Sequence, residues 1–335
     1  MFSILTFVLA SFFASGIEKI PPEAIVLEGR TMGTSYKVIY FDDPLRRNFQ
    51  NAVDSLLIRV NKAINTYDST SEISQFNSNE KGVCLRLPYL YELLKKATKI
   101  HKLSGGAFDP TVMPLVNAWG FGPKETTSRS ARDIDSLRRF TGLDKIKFAR
   151  KRISKSDPRT QLDMGGIGQG YGADVVFEFL KSQGIEHMLV ELGGEGIALG
   201  RNLSKNKAWT IGILDPNSTT DHQFFKAYVE LGQQAFTTSG NYFNYKIING
   251  RKFGHTIDPA TGYPVQHSLL SASVFANDCT TADAWATAFM VMGTEKAIGK
   301  AKTLRGIDAF FIYSNNEGAL QTFATPGIKN QITLE

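Results

Sequence analysis

The order of patterned segments predicts an α+β fold with mixed, largely antiparallel sheets and helices packed on them. Stretches at helical spacing crowd the first half of the chain, and short β-rich runs between turn residues crowd the second. Near position 250 an Asn-Gly pair follows an apolar run, the strongest short hairpin signal a sequence carries.

Taken in order, Ala24 to Tyr40 alternates as strand, turn, strand, with Gly29 to Ser35 as a polar corner. Phe49, Ala52, Val53, Leu56, Leu57, Val60 and Ala63 mark one face of a long amphipathic helix. Thr66 to Ser69 reads as a loop running into Ser71–Asn77. A second helix is expected over Pro88 to Leu103, with Leu90, Leu93, Leu94 and Ala97 inward and Ser104-Gly105-Gly106 as its stop. His101 falls on that inner face, as a satisfied core histidine. Ala107 to Gly120, with two prolines and several large apolar side chains, reads as an ordered loop plugging the core. A short helix around Ala131 to Phe140 leads back to a strand ending at Thr160-Gln161-Leu162. Strands follow at His187 to Leu192, Gly196 to Leu199, Trp209 to Leu214 and Phe225 to Leu231, and Ile247-Ile248 meets Asn249-Gly250. A helix near Thr294 to Leu304 and a hairpin of Asp308 to Tyr313 with Ala319 to Phe323 close the chain.

At 335 residues the chain can bury a sizeable core, as one large domain or two intimate ones. A hydrophobic content of 42% and a charged content of 21% exclude a disordered chain. The net charge of +6 is moderate and suits anionic ligands. Basic residues come in short knots, such as Lys95-Lys96 and Arg150-Lys151-Arg152, which read as solvated faces. Without long tracts or interleaved aromatics, they predict no nucleic-acid partner.

Met1 to Phe13 is apolar and uncharged, and Ala14-Ser15-Gly16 supplies small residues before Glu18-Lys19. This predicts a signal peptide over residues 1–16 and an exported domain over 17–335, in the periplasm or on the outer face of the cytoplasmic membrane. An uncleaved anchor is the alternative, and no Cys follows the apolar run to take a lipid. Export permits a disulfide, but Cys84 and Cys279 lie too far apart in sequence to decide between a bridge and two separate thiols. Neither sits in a C-x-x-C or His-rich setting, which argues against zinc or thioredoxin-like chemistry.

Three stretches concentrate potential chemistry. Leu162 to Asp174 holds five glycines between Gly165 and Gly172, followed by a helix face of Ala173, Val176, Phe177 and Leu180. Such a stretch either brings bare backbone and free N–H groups to a ligand, most often phosphate, or permits close strand–helix packing. It matches neither G-x-G-x-x-G nor the Walker pattern. Gly254 to Pro264 combines tight turns at Asp258-Pro259 and Thr261-Gly262 with His255 and several hydroxyls. In Cys279 to Met290, Asp283 and Thr287 are four apart and share one helix face, offering two oxygens to a hard cation such as Mg²⁺. Thr280 with Asp283 equally reads as an N-terminal cap.

Together these segments resemble the FAD:protein FMN transferases, the ApbE-type flavin transferases. The resemblance runs through Arg30–Thr34, Thr66-Tyr67 with Ser71–Asn77, Gly105–Thr111, Asp163–Asp174, Leu189–Glu195, Thr238–Tyr242, His255–Gly262 and Thr281–Thr287, in that order. It implies two intimate subdomains around an FAD cleft. Met32, Tyr67, Ala107, Phe108, Asp109, Asp163 and Ile257 match positions that line the FAD site. The carbonyl of Gly166, with Asp283 and Thr287, matches the Mg²⁺ ligands, and His255 is the histidine suited to act as base. Gln169 stands where the family commonly carries a charged residue, often Lys. The implied reaction is Mg²⁺-dependent transfer of FMN from FAD to a threonine or serine of a client flavoprotein, with AMP leaving. The implied clients are subunits of NADH:quinone oxidoreductases or Rnf-type complexes. The alternatives are a Mg²⁺-dependent FAD pyrophosphatase and a non-catalytic periplasmic FAD-binding protein.

Overall fold

Strand alternation, read from the first described residues, sets the architecture. The computed structural model describes residues 22–335 apart from 43, 125–129, 220, 242–244 and 249–250, so the expected signal peptide lies outside the described residues. Strands β1 (Ile25–Thr31) and β2 (Thr34–Phe41) pair across a two-residue turn, Met32-Gly33, with φ of 49° and 77°. Two left-handed residues match the twist of flanking strands, so the corner is far tighter than the seven residues expected.

Helices α1 (Gln50–Ile64), α2 (Glu72–Ser78) and α3 (Tyr89–Leu103) follow, with the short strand β3 (Gly82–Cys84) before α3. Helix α2 takes the segment after the expected loop and is capped by Ser71, whose hydroxyl accepts the Ser74 N–H at 3.1 Å. The expected loop over 107–120 contains a helix, α4 (Met113–Ala118). Its Pro114 lies in the first turn, where a missing N–H costs no hydrogen bond. Helix α5 (Ala131–Arg138) leads to β4 (Ile146–Ala149) and β5 (Arg152–Lys155). The strand expected at Thr160–Leu162 is a single parallel bridge between Gln161 and Val112. Helix α6 (Gly168–Ser182) begins inside the glycine-rich stretch.

The later strands are β6 (His187–Leu192), β7 (Glu195–Leu199), β8 (Trp209–Leu214), β9 (Phe225–Leu231), β10 (Gln234–Gly240), β11 (Tyr245–Ile248), β12 (Arg251–Gly254) and β13 (Leu269–Ala276). Strands β11 and β12 pair as the expected hairpin, although its Asn249-Gly250 turn lies outside the described residues. Helices α7 (Cys279–Met292) and α8 (Thr294–Ala301), strands β14 (Ile307–Ser314) and β15 (Leu320–Ala324), helix α9 (Pro326–Lys329) and strand β16 (Ile332–Leu334) complete the fold.

Eight strands form one sheet in the order β1-β2-β6-β7-β10-β13-β14-β15, with every neighbouring pair antiparallel. Both of its faces are covered, and residue alternation shows how. On β14, Ala309 and Phe311 join the core under α3 and α7, whereas Phe310 and Ile312 join the core shared with β8, β9 and α9. Strand β2 divides likewise: Tyr36, Val38 and Tyr40 face α1 and α6, and Phe41 faces the other side. The result is the α+β class, with the long helices on one face and the antiparallel sheet β16-β9-β8 with the short α9 on the other. Cys84 is exposed and Cys279 buried, and both are free thiols. Among the described residues no helix is long and apolar enough to cross a membrane.

Candidate active site

Helices α6 and α7 meet where the glycines are. A Cβ on Gly170 would lie 2.5 Å from the Cys279 carbonyl oxygen and 2.8 Å from the Asp283 Cβ. One on Gly166 would lie 2.6 Å from Thr287 Oγ1. Only bare backbone permits this approach, so glycine at these two positions serves helix–helix contact. The free N–H groups expected to cradle phosphate are partly committed within the protein. Gly165 N–H donates to Asp163 Oδ1 (2.9 Å), Gly168 N–H to the Met164 carbonyl (2.8 Å) and Gly170 N–H to Asp283 Oδ2 (3.0 Å).

Helix α7 is not capped by Thr280 with Asp283, the arrangement its spacing allowed. Its N-cap is Asp278, whose carboxylate accepts the Thr281 N–H (2.9 Å) and hydroxyl (2.8 Å). Asp283 therefore plays no part in capping, and its side chain turns toward α6. Burial lifts its carboxyl from the ordinary value of 3.8 to about 7, against the stabilising Gly170 N–H. One turn on, Thr287 Oγ1 lies 3.4 Å from the Gly166 carbonyl oxygen. A carboxylate and a hydroxyl from α7 thus converge with a carbonyl from the turn before α6.

These groups line a cavity of about 710 Å³. Met32 enters it from the β1–β2 turn, and Tyr67 from the loop before α2, with its hydroxyl donating to the Phe121 carbonyl at 3.1 Å. Ala107, Phe108 and Asp109 line it from the segment after α3. His101 fixes that segment through Nδ1, 2.9 Å from the Phe108 carbonyl oxygen. Asp109 folds back onto Thr111, accepting its N–H at 2.8 Å and its hydroxyl at 2.6 Å, and burial pushes its carboxyl up. Asp163 and Gln169 line the glycine-rich side, and burial raises the Asp163 carboxyl as well. His255 and Ile257 close the cavity from a loop braced by the Trp119 indole N–H, which donates to the Gly262 carbonyl at 2.8 Å. The His255 ring lies edge-on to Phe121, 6.4 Å between centroids.

A model of the ApbE family matches residues 32–311. The chain belongs to the ApbE family. It is 36% identical to the FAD:protein FMN transferase of Vibrio cholerae over 91% of each chain, and 35% identical to that of Haemophilus influenzae over 84% of each. Among solved structures, the flavin transferase ApbE from Vibrio cholerae superposes with a TM-score of 0.83 at 34% identity, over 93% of this chain and 100% of that one. The flavinyl transferase ApbE of Pseudomonas stutzeri, in its apo form, gives 0.82 at 33% identity, over 94% and 98%.

In this ApbE-family fold every sequence-derived site residue faces the same cavity. Glu195, at the start of β7, faces it too and had been assigned no role. Its carboxyl is buried, with no hydrogen-bond partner for Oε2 among the described residues, and burial beside Asp283 holds it well above the usual range. The signal that would have found it is a lone acid opening the apolar run Gly196–Leu199. The chemistry of the donors suits a hard cation. Among the described residues no three His, Cys, Asp or Glu side chains gather as a cluster. The convergent donors are oxygens alone, with a second acid, Glu195, in the same cavity.

Proposed function

We propose that this chain transfers the FMN moiety of FAD to a threonine or serine hydroxyl of a client flavoprotein, releasing AMP, in a Mg²⁺-dependent reaction. One observation carries the reading: residues 32, 67, 107–109, 163–166, 168–169, 255–257, 283 and 287, far apart in sequence, face a single cavity of dinucleotide size. The names of the relatives support FAD as donor and protein as acceptor.

The client hydroxyl oxygen bonds to the FMN-side phosphorus of FAD, and the bond from that phosphorus to the bridging oxygen breaks. The bridging oxygen leaves with AMP, and the hydroxyl proton passes to His255, whose class of side chain titrates near neutral pH. Met32, Phe108 and Ile257 supply apolar surface for the flavin side, and Asp109 and Asp163 supply acceptors. Asp283, Thr287 and the Gly166 carbonyl would hold Mg²⁺, which brings positive charge to the pyrophosphate oxygens. The apolar Met1–Phe13 run followed by small residues supports action after export, on the periplasmic side, where subunits of NADH:quinone oxidoreductases or Rnf-type complexes are the proposed clients.

The test incubates the mature chain with FAD, MgCl₂ and a client carrying the acceptor hydroxyl. The expected result is flavin fluorescence on the denatured client with one AMP released per label. Free FMN with AMP would mean a pyrophosphatase, and intact FAD a binding protein. Asp283→Ala should abolish turnover, and activity retained in that variant would sink the cation assignment.

A further inference from the structure

The second aspartate of the glycine-rich stretch, Asp174, faces away from the cavity and has no part in the reaction described above. It lies on α6, yet its hydrogen bonds go to α7. Oδ1 accepts the Cys279 N–H at 2.7 Å, and Oδ2 accepts the Thr280 N–H at 3.0 Å and the Thr280 hydroxyl. The first amides of a helix have no partner within it. Here the first two go to a side chain on another helix, and the third goes to the N-cap Asp278. Lys96 from α3 ties both acids together, 3.3 Å from Asp174 and 2.9 Å from Asp278. Its ammonium thus belongs to a half-buried network, unlike the solvated face expected of the Lys95-Lys96 knot.

The consequence lies one to two turns along each helix. Gly166 precedes α6, whereas Asp283 and Thr287 ride on α7. The distance between these donors depends on how the two helices sit against each other. Bare backbone at Gly170 sets their closeness, and the Asp174 carboxylate sets their position along the axis.

We propose that Asp174, held by Lys96, is a positioning residue for the cation site: it locks α7 to α6 and so fixes the spacing of Gly166, Asp283 and Thr287. This rests on the cation site of the proposed function. Mg²⁺ demands near-ideal octahedral geometry, whereas Ca²⁺ tolerates variable spacing. A loosened lock therefore costs Mg²⁺ affinity more than Ca²⁺ affinity, while simple loss of a nearby charge weakens both ions alike.

The test titrates MgCl₂ and CaCl₂ separately into the metal-free full chain by calorimetry, for wild type, Asp174→Asn and Thr280→Val. Thr280→Val removes one hydroxyl bond to Asp174 at nearly unchanged volume and serves if Asp174→Asn fails to fold. The expected result is a Mg²⁺ affinity lowered by about tenfold or more in Asp174→Asn, the usual scale for outer-shell partners, with Ca²⁺ changed much less. Thr280→Val should move the Mg²⁺ to Ca²⁺ ratio in the same direction by a smaller factor. Equal losses for both ions, or an unchanged ratio with only a lower melting temperature, would overturn the proposal. A wild-type chain that binds neither ion would instead overturn the cation site on which it rests.

Discussion

Asp283 shows how far one buried carboxyl governs the site. In the proposed cation site proton and Mg²⁺ would compete for its oxygens, and burial lifts the carboxyl to about 7. Mg²⁺ affinity should therefore weaken below pH 7, by up to about tenfold per pH unit, and level off above it. Calorimetric titrations at pH 6, 7 and 8 check this, and a flat profile would remove Asp283 from the donor set. The metal-free protein carries the converse sign. Its folded-state pKa of about 7 exceeds the ordinary 3.8, so the folded chain keeps a proton that the unfolded chain has released. Stability without cation should fall as pH rises from about 4 to 7, and saturating Mg²⁺ should restore it. Gln169 invites a second prediction. It can hydrogen-bond but cannot neutralise pyrophosphate, so under the proposed function FAD binding should lean on the cation and EDTA should weaken it sharply. Gln169→Lys should recover much of that loss, and equal FAD affinity of wild type with and without EDTA would refute the dependence.

At the scale of elements, the α6–α7 contact is the joint that most invites substitution. Gly170→Ala places a methyl 2.5 Å from the Cys279 carbonyl, which is backbone and cannot rotate away. A cost of about 1–3 kcal/mol is expected, read from denaturant unfolding, with Mg²⁺ affinity falling alongside. Gly299→Ala on α8, where a Cβ meets open space, is the control and should be neutral or stabilising. The same joint shows what sequence patterns reveal and what they hide. Strands β6, β8 and β9 were legible to the residue because turn residues bound them. Strands β10 and β13 were not, because a central strand buried on both faces loses its alternation: seven of eight residues of β13 are buried. Helix α4 hid behind Pro114, which marks a helix start as readily as a loop. Spacing alone left Asp283 divided between cap and ligand. In the fold Asp278 holds the cap, which leaves Asp283 free of that role.

For the whole molecule, one broad antiparallel sheet serves as the floor from which distant segments reach a common cavity. Its centre supplies Glu195 and Thr238, and its first hairpin supplies Met32. This convergence is tertiary, so local patterns could not foretell it. Motif resemblance points to the other site residues, whereas it gives no role to Glu195, which ends one of the matching segments. A smaller hollow of about 520 Å³ beside β9 and β10 is lined by Glu230 and Asp308, and none of the motif-derived site residues faces it.

The two thiols give this architecture a built-in gauge. Cys84 stands exposed on β3, while Cys279, the first residue of α7, is buried, and burial holds its thiol well above the usual range. A maleimide dye should add once to the native chain and twice after denaturation, counted by intact mass. The second adduct then times the moment at which α7 lifts from its neighbours. Slower labelling on adding Mg²⁺ or FAD would report ligand-induced closure at that joint without any enzymatic readout, and the same exposed sulfur offers a single attachment point for a fluorophore or a surface tether.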